Sequence, residues 1–552
     1  MRKIPIGIQD FKEIRGDDYY YVDKSDLIAQ ILDSKVEVYL FTRPRRFGKS
    51  LNLSMLDAFL NVKHKGNTWF DGLRVSERKD LEPRKNASPV LYFDFKDINS
   101  STFDSFRAGM ANKVADLYRL NVEVLEDVSD LKLRKDVSDI RMGTSDVDTL
   151  SRSLRILTNL MQDHHGRKVV VLIDEYDNPV HNAHGTEDFR KILDFMKIML
   201  GSALKGNESL DLAVVIGVMQ ISKESIFSGF NNPYVNNIFS KESDEMFGFT
   251  PDEVRKLCAD YGHPERYEEA KDWYDGYIFG DAEIYNPWSV LNYVKRGFEP
   301  SSYWAGTSGN SIIDHLLANA RSETYDILRG LATGSSVKME IDGMITFEEL
   351  DYAPESIYSV MVMSGYLRAM HERSDHYLIS IPNMEMYLIY SKMVAARLDT
   401  TGRKIRSLQN ELVSGDAASV SRTIEDLLMT DMSFRILDDE ATYQAYLIGL
   451  LFNLHDQYDI KAEREVGKGY CDILMSSKVA GVPSIVIELK RGDGASDLDD
   501  LAADAVRQIR DREYHHGLSG RVLLYGMAFH GKDARIVSEE LDDRAGPVAG
   551  SG

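Results

Sequence analysis

Three groups of residues in this chain have types and spacings suited to chemistry on phosphate. The first is Gly48-Lys49-Ser50. A glycine lets backbone N–H groups approach phosphate oxygens, a lysine reaches the β and γ phosphates, and a serine hydroxyl is a ligand for Mg²⁺. Against the pattern G-x-x-x-x-G-K-[ST], the eight positions are Arg43-Pro44-Arg45-Arg46-Phe47-Gly48-Lys49-Ser50, so an arginine stands where the first glycine belongs. The chemical half is intact and predicts binding of ATP and Mg²⁺. The second group is Asp174-Glu175, at the end of the apolar run Val169 to Ile173. There Asp174 suits a Mg²⁺ ligand and Glu175 a group that orients water. Asp177 suits either a supporting contact to that site or a turn.

The third group lies far downstream. Asp472 opens the run Ile473-Leu474-Met475, and Glu488-Leu489-Lys490 ends the run Ile485-Val486-Ile487. Strand side chains alternate faces, so Glu488 and Lys490 point the same way, and a hairpin would bring Asp472 to them. Two carboxylates can hold Mg²⁺, and a lysine can position or deprotonate water for attack on phosphate. Gln508 falls on the helix that follows. Each group also has a plain structural reading: a solvated lysine at a helix start, an acidic turn after a core strand, an exposed ion pair on a strand edge.

The elements that must position these groups are legible in the periodicity. Val36 to Phe41 reads as a strand, and Leu51, Met55, Leu56, Phe59 and Leu60 recur at helical spacing, so the phosphate loop sits between a strand and a helix N-terminus, whose partial positive charge favours anions. Further strands are predicted at Val90 to Phe95, Val169 to Ile173 and Leu212 to Val218, separated by helical segments such as Phe189 to Leu200. That alternation predicts a mostly parallel, buried sheet. After Phe249 the sequence turns helical and Tyr-rich, opened by Thr250-Pro251-Asp252-Glu253, a capping box with proline at the first helical position. From about Phe434 the order is helix, three strands near Ala462, Cys471 to Met475 and Ser484 to Leu489, a helix at Leu498 to Arg512 and a strand at Val522 to Met527.

Composition narrows the function classes. The 552 residues, 43% hydrophobic and 28% charged, suit a folded chain of three domains. The net charge of −22 excludes indiscriminate coating of nucleic acid. Residues 456 to 521 carry 10 Lys plus Arg against 13 Asp plus Glu, so any footprint there requires Arg464, Lys468, Lys478, Arg491, Arg507 and Arg510 to align. Cys258 and Cys471 are too isolated for a disulfide framework or a zinc site, which fits a reducing compartment. Neither a signal peptide nor a membrane span is expected, and the localisation expected is cytoplasmic. Residues 541–552 read as a flexible tail.

The run Thr42 to Leu56, with Asp174-Glu175-Tyr176-Asp177, Ser222 to Phe227, Trp273-Tyr274-Asp275-Gly276-Tyr277, Tyr285-Asn286-Pro287-Trp288-Ser289 and Ser364-Gly365-Tyr366-Leu367, resembles the AAA-ATPase-like family of bacteria and archaea, often fused to a C-terminal PD-(D/E)XK nuclease-like domain. In that family the arginine at the first loop position is usual, so the resemblance makes Arg43 a regular feature. It implies ATP and Mg²⁺ at Arg43 to Ser50 and Asp174, and metal-organised hydrolysis at Asp472, Glu488 and Lys490, with Gln508 at a supporting position. Met219-Gln220 stands where a threonine or arginine pair is expected, which leaves Gln220 to sense the γ-phosphate. For the upstream acidic ligand of the nuclease superfamily, Glu463 and Glu465 are the candidates.

The expected architecture is therefore α/β: a P-loop NTPase parallel sheet over 1–248, a helical middle domain over 249–433, a restriction-endonuclease-like α/β domain over 434–540, and the tail. The expected function is ATP binding and hydrolysis whose nucleotide state controls a Mg²⁺-dependent nuclease-like domain acting on DNA or RNA. The competing expectation is a nucleotide-regulated switch or interaction protein whose nuclease-like domain is catalytically inactive. A homo-oligomer is compatible with either, and Arg45 and Arg46 could serve phosphate in their own subunit or a neighbour's.

Overall fold

The computed structural model describes residues 1–542 other than 99–100, 127, 222–232, 305–315, 317–323, 325–326, 329, 332–333, 351–355, 374–375, 396–398, 432–439, 452–453, 455–456, 480, 493, 495–496 and 519. Ser222 to Phe227 and residues 543–552 of the expected tail lie outside the described residues. The chain divides into two compact units, one of 1–321 with 339–378, the other of 322–338 with 379–552.

The first unit is organised by a five-stranded sheet. Its strands are β1 (Val38–Thr42), β2 (Val90–Asp94), β3 (Val169–Asp174), β4 (Leu210–Gly217) and β5 (Tyr234–Asn236), in the order β2-β3-β4-β1-β5, every pair parallel. All residues of β1 and β3 are buried, as parallel strands covered on both faces must be. At about 1.5–3 kcal/mol for each large side chain buried, these runs contribute strongly to the stability of the unit. Helix α1 (Lys49–Leu60) follows β1, α2 (Phe103–Arg119) and α3 (Ser153–His165) lie between β2 and β3, and α4 (Phe189–Leu204) between β3 and β4. Because β4 is inserted between β1 and β3, the loops after β1 and β3 emerge at the same carboxyl edge with a strand between them. That edge is where open parallel sheets place their ligands.

This unit continues past residue 248. Phe249 and Tyr285 exchange backbone hydrogen bonds of 3.1 and 2.8 Å. Helix α5 (Pro251–Asp260) carries the expected Thr250–Glu253 capping box, and its Val254, Leu257 and Cys258 share one core with Ile4, Tyr274, Tyr285 and Tyr293. The hairpin β6 (Tyr277–Phe279) and β7 (Ala282–Ile284) leads into α6 (Pro287–Lys295), capped by Asn286.

The second unit holds a mixed sheet: β8 (Tyr458–Val466), β9 (Gly469–Ser477), β10 (Ser484–Arg491), β11 (Arg521–His530) and β12 (Asp533–Asp542), in that order. Only β10 and β11 are parallel, joined across the sheet by α10 (Leu498–Asp511). The hydrophobic face of α10, with Ala502, Val506 and Ile509, packs on that pair. Helices α7 (Asp399–Ser414) and α8 (Ala417–Asp431) belong to this unit: Tyr525 donates to the Leu412 carbonyl and Ser421 to that of Ala534, both at 2.8 Å. Helix α9 (Glu440–Leu451) completes it, with Tyr443 stacked on Phe529.

Candidate functional site

The loop Arg43 to Ser50 is held by backbone geometry first. Gly48 caps α1 with φ of +81°, a left-handed conformation that costs a side chain strain, and Arg46 also has positive φ, +73°. The first N–H groups of α1 are thereby aimed at whatever the loop encloses. Lys49 is 8% exposed, and its Nζ donates to the carbonyls of Arg43 and Pro44 at 3.0 and 2.8 Å. Burial lowers its pKa to about 8, against the opposing pull of Asp177, Asp174 and Glu175. The ammonium is thus predominantly charged at neutral pH.

Asp174, 5% exposed, ends β3, and Glu175 follows with φ of +49°. Burial raises the Asp174 carboxyl to about 6; Glu175 adds to the rise, while Ser50 and Lys49 oppose it. Its Oδ1 is buried without a hydrogen-bond partner. A buried carboxylate oxygen left without a donor is costly, and beside a serine hydroxyl it fits a hard divalent cation. Ser50 and Asp174 are therefore the residues that would hold Mg²⁺ here. Asp177 is committed elsewhere: its Oδ2 accepts from the N–H groups of Val218 and Met219, both at 2.9 Å. It secures the chain leaving β4. This closure needs a glycine at 217, since a Cβ there would lie 2.5 Å from Asp177 Oδ1 and 2.6 Å from the Tyr176 ring.

Two of the expected phosphate contacts are turned elsewhere. The Arg43 guanidinium is fully buried, donates to the carbonyls of Thr42 and Asn236 and to Asn236 Oδ1, and lies over the Phe247 and Phe279 rings. Its side chain ties the loop to β5, and burial lowers its pKa to about 9. Gln220, 6% exposed, donates to Met344 Sδ at 3.3 Å, and its backbone bridges to Thr346. Arg45 meets His181 at 3.4 Å, and Arg46 stacks 4.2 Å from the centroid of Trp288.

The motifs downstream of position 248 converge on this loop, which the sequence reading missed. Phe47 packs edge-on against Tyr277 and tilted against Phe279, Trp288 takes Arg46, and a Cβ on Gly365 would meet Pro44 at 3.0 Å. Asp94 was also missed. It is in register with Asp174 on the neighbouring strand and pairs with Lys113.

In the second unit the structure gathers Asp472, Glu488, Lys490 and Gln508. The β9–β10 register pairs Ile473 with Ile487, so Asp472 and Glu488 fall opposite one another one step further on. Asp472 Oδ2 accepts from the Leu489 N–H at 2.7 Å. Glu488 is 3% exposed; its Oε1 accepts from Lys490 Nζ at 3.3 Å and from Gln508 Nε2. Its Oε2 is buried without a partner. Burial raises the Glu488 carboxyl to about 7, with Asp472 adding to the rise and Lys490 opposing it. That unsatisfied oxygen beside a second carboxylate fits a divalent cation held by Asp472 and Glu488, with water completing its shell. Among the described residues no three or more His, Cys, Asp or Glu side chains cluster as a metal site. The side chains of Glu463 and Glu465 lie outside the described residues, but Glu440, in the first turn of α9, accepts from the Arg491 N–H at 3.0 Å. Several members of the expected basic stripe are neutralised, Lys468 by Glu513, Arg507 by Asp504 and Arg510 by Glu539.

A phosphate-type loop on a parallel sheet and a carboxylate–lysine cluster on a mixed sheet define a nucleotide-binding type of unit joined to a nuclease type of unit. Residues 5–227 match the family model described as "Predicted AAA-ATPase", and residues 438–539 match that of the PD-(D/E)XK nuclease superfamily. The chain is similar to an "uncharacterized protein in vnfD 5'region" of Azotobacter chroococcum mcd 1, 30% identical over 394 residues, which are 70% of this chain and 68% of that protein. The chain belongs to the AAA-ATPase-like family and carries a C-terminal PD-(D/E)XK nuclease superfamily domain. Among the described residues no helix is long and apolar enough to cross a membrane.

Proposed function

We propose that the first unit binds and hydrolyses ATP and that its nucleotide state controls hydrolysis of phosphodiester bonds in DNA or RNA by the second. The observation that carries the reading is the same at both sites: a buried acid on a core strand with one unsatisfied oxygen, Asp174 Oδ1 and Glu488 Oε2, beside a lysine. Mg²⁺, when bound, supplies charge neutralisation on phosphate oxygens and acidifies water. Ser50 and Asp174 would hold it in the first unit, Asp472 and Glu488 in the second.

The chain's own residues do the rest. The N-terminus of α1 and Lys49 bind the phosphates, and Lys49 must exchange its two carbonyl contacts for phosphate oxygens as substrate enters. Glu175 orients the attacking water at the γ-phosphate. In the second unit Lys490 positions the attacking water beside the scissile phosphate, and Gln508 holds Glu488 in place. Lys468, Arg507 and Arg510 of the expected basic stripe are each paired with an acid, which favours a substrate recognised at few phosphates.

The test is incubation of the full chain with single- and double-stranded DNA and RNA, with and without Mg²⁺ and ATP, beside Lys490→Ala. Cleavage that requires Mg²⁺ and vanishes in Lys490→Ala is expected. Equal inertness of both proteins across all substrates would reject the nuclease half and leave a nucleotide-regulated interaction protein.

A further inference from the structure

The hairpin that joins β8 to β9 is docked on the end of α10. The Lys468 N–H donates to the Arg512 carbonyl at 2.8 Å, Arg512 Nη1 donates back to the Lys468 carbonyl at 3.4 Å, and Lys468 Nζ pairs with Glu513 at 2.7 Å. Gly467, with φ of +61°, lets the two backbones meet, because a Cβ there would run into the carbonyls of Arg512 and Glu513. A Cβ on Gly469 would meet the Tyr514 hydroxyl at 3.0 Å; that hydroxyl lies 3.5 Å from Gln508 Nε2, which donates to Glu488. The start of β9 is therefore held by the same helix end that supports the carboxylate–lysine cluster.

On this fixed start stands Tyr470. Among the described residues only Tyr234 and Tyr470 are aromatic side chains exposed by more than a third, and the Tyr234 hydroxyl is bonded to Glu242. Tyr470 is 64% exposed. Cys471 is buried, so alternation sets Tyr470 and Asp472 together on the other face, about 7 Å apart at two strand steps. The β9–β10 ladder ends at the Ile473–Ile487 pair, and Tyr470 lies past that end, on the side of Asp472 and Glu488. Beside it the charge of Lys468 is paired with Glu513, so the ring is the surface this edge offers.

An exposed ring fixed next to a phosphate site suits a nucleobase. The bases of a single strand have free π faces, and their stacking on an aromatic side chain tolerates any sequence. Inside a duplex those faces are covered by neighbouring pairs, and uncovering one costs unstacking. We infer that Tyr470 stacks on an unpaired base beside the phosphate held at Asp472 and Glu488, so that the second unit takes single-stranded nucleic acid, DNA or RNA, in preference to duplex. The inference rests on the reading of Asp472, Glu488 and Lys490 as a phosphodiester site. Tyr470 selects the strand, and the acids and Lys490 act on it.

The test is fluorescence anisotropy of the full chain with a labelled single strand, its duplex, and the same strand with abasic positions, in DNA and in RNA. Ca²⁺ replaces Mg²⁺ so that binding is read without turnover, and thermal melts check the folding of Tyr470→Ala and Tyr470→Phe. The wild type should bind the single strand about tenfold or more tighter than the duplex, and Tyr470→Ala should lose about tenfold or more toward the single strand. Tyr470→Phe, which keeps the ring, should stay within about threefold of the wild type. Abasic positions should weaken the wild type by the factor seen in Tyr470→Ala and leave Tyr470→Ala itself unchanged, a pattern that a merely structural tyrosine would not give. Duplex bound as tightly as single strand overturns the inference, as does undiminished single-strand binding by folded Tyr470→Ala. If Tyr470→Ala does not fold, equal binding of intact and abasic strands by the wild type overturns it. Tyr470-dependent binding without cleavage in Mg²⁺ supports the stacking and rejects hydrolysis alone, whereas a wild type that binds no strand refutes the phosphodiester site and the stacking with it.

Discussion

Asp174 and Glu488 solve the same problem in different surroundings. Each is a buried acid on an apolar strand, Asp174 the last residue of β3 and Glu488 within β10, and each keeps one oxygen without a hydrogen bond. Around Asp174 the nearby cation, Lys49, is bonded to backbone carbonyls of its own loop, and the strand next to β3 carries a further acid, Asp94. Around Glu488 the cation is bonded to the acid itself, and Gln508 shares the same oxygen. The first arrangement keeps its lysine attached to groups that a phosphate can replace. The second keeps its lysine fixed beside the carboxylate.

The comparison breaks most visibly by deleting each lysine. Lys49→Ala should lower ATP turnover by about a hundredfold to a thousandfold, the effect of removing one charge-stabilising donor, and Lys490→Ala should lower nucleic acid cleavage by a similar factor. ATP turnover measured in Lys490→Ala should match the wild type. A loss of ATP turnover in Lys490→Ala would mean that the two sites are not separate.

The acid limbs sharpen it further. Both carboxyls titrate above their ordinary values, to about 6 at Asp174 and about 7 at Glu488, chiefly through burial. A raised pKa leaves an acid protonated to higher pH, and a protonated acid is a poor metal ligand. With Mg²⁺ below saturation, ATP turnover should therefore fall as pH drops through about 6, and cleavage should fall already through about 7. Profiles with coincident limbs would contradict this ordering. Gln508→Ala should cost cleavage about tenfold by loosening Glu488, with ATP turnover unchanged. Smallest in its effect on chemistry is Arg43→Ala, which should lower the stability of the first unit by about 3 kcal/mol in a denaturant melt while moving the KM for ATP little.

Much of both sites could be read from local sequence. The end of an apolar run located Asp174 at the last position of β3, the run before Glu488 located that acid within β10, and alternation put Glu488 and Lys490 on one face, because period and polarity act over a few residues. What escaped depends on pairing between distant residues. The anchor of Arg43 is Asn236, at the end of a three-residue strand too short to announce itself. Phe47 finds Tyr277, Arg46 finds Trp288 and Pro44 lies against Gly365, and no local pattern encodes such meetings. Their common signal was present but unread: aromatic and glycine-rich motifs surrounded by helical sequence. The last strand, β12, was missed because charged residues such as Arg535, Glu539 and Glu540 disguise an edge strand.

The central claim is that nucleotide in the first unit governs chemistry in the second. The direct measurement is the rate of nucleic acid cleavage by the full chain as a function of ATP concentration at fixed Mg²⁺, in wild type and in Lys49→Ala. The account predicts a rate that changes about tenfold or more with ATP in the wild type, a coupling of roughly 1.4 kcal/mol, and a flat profile in Lys49→Ala. A wild-type rate independent of ATP, with Lys49→Ala cleaving equally well, would contradict it.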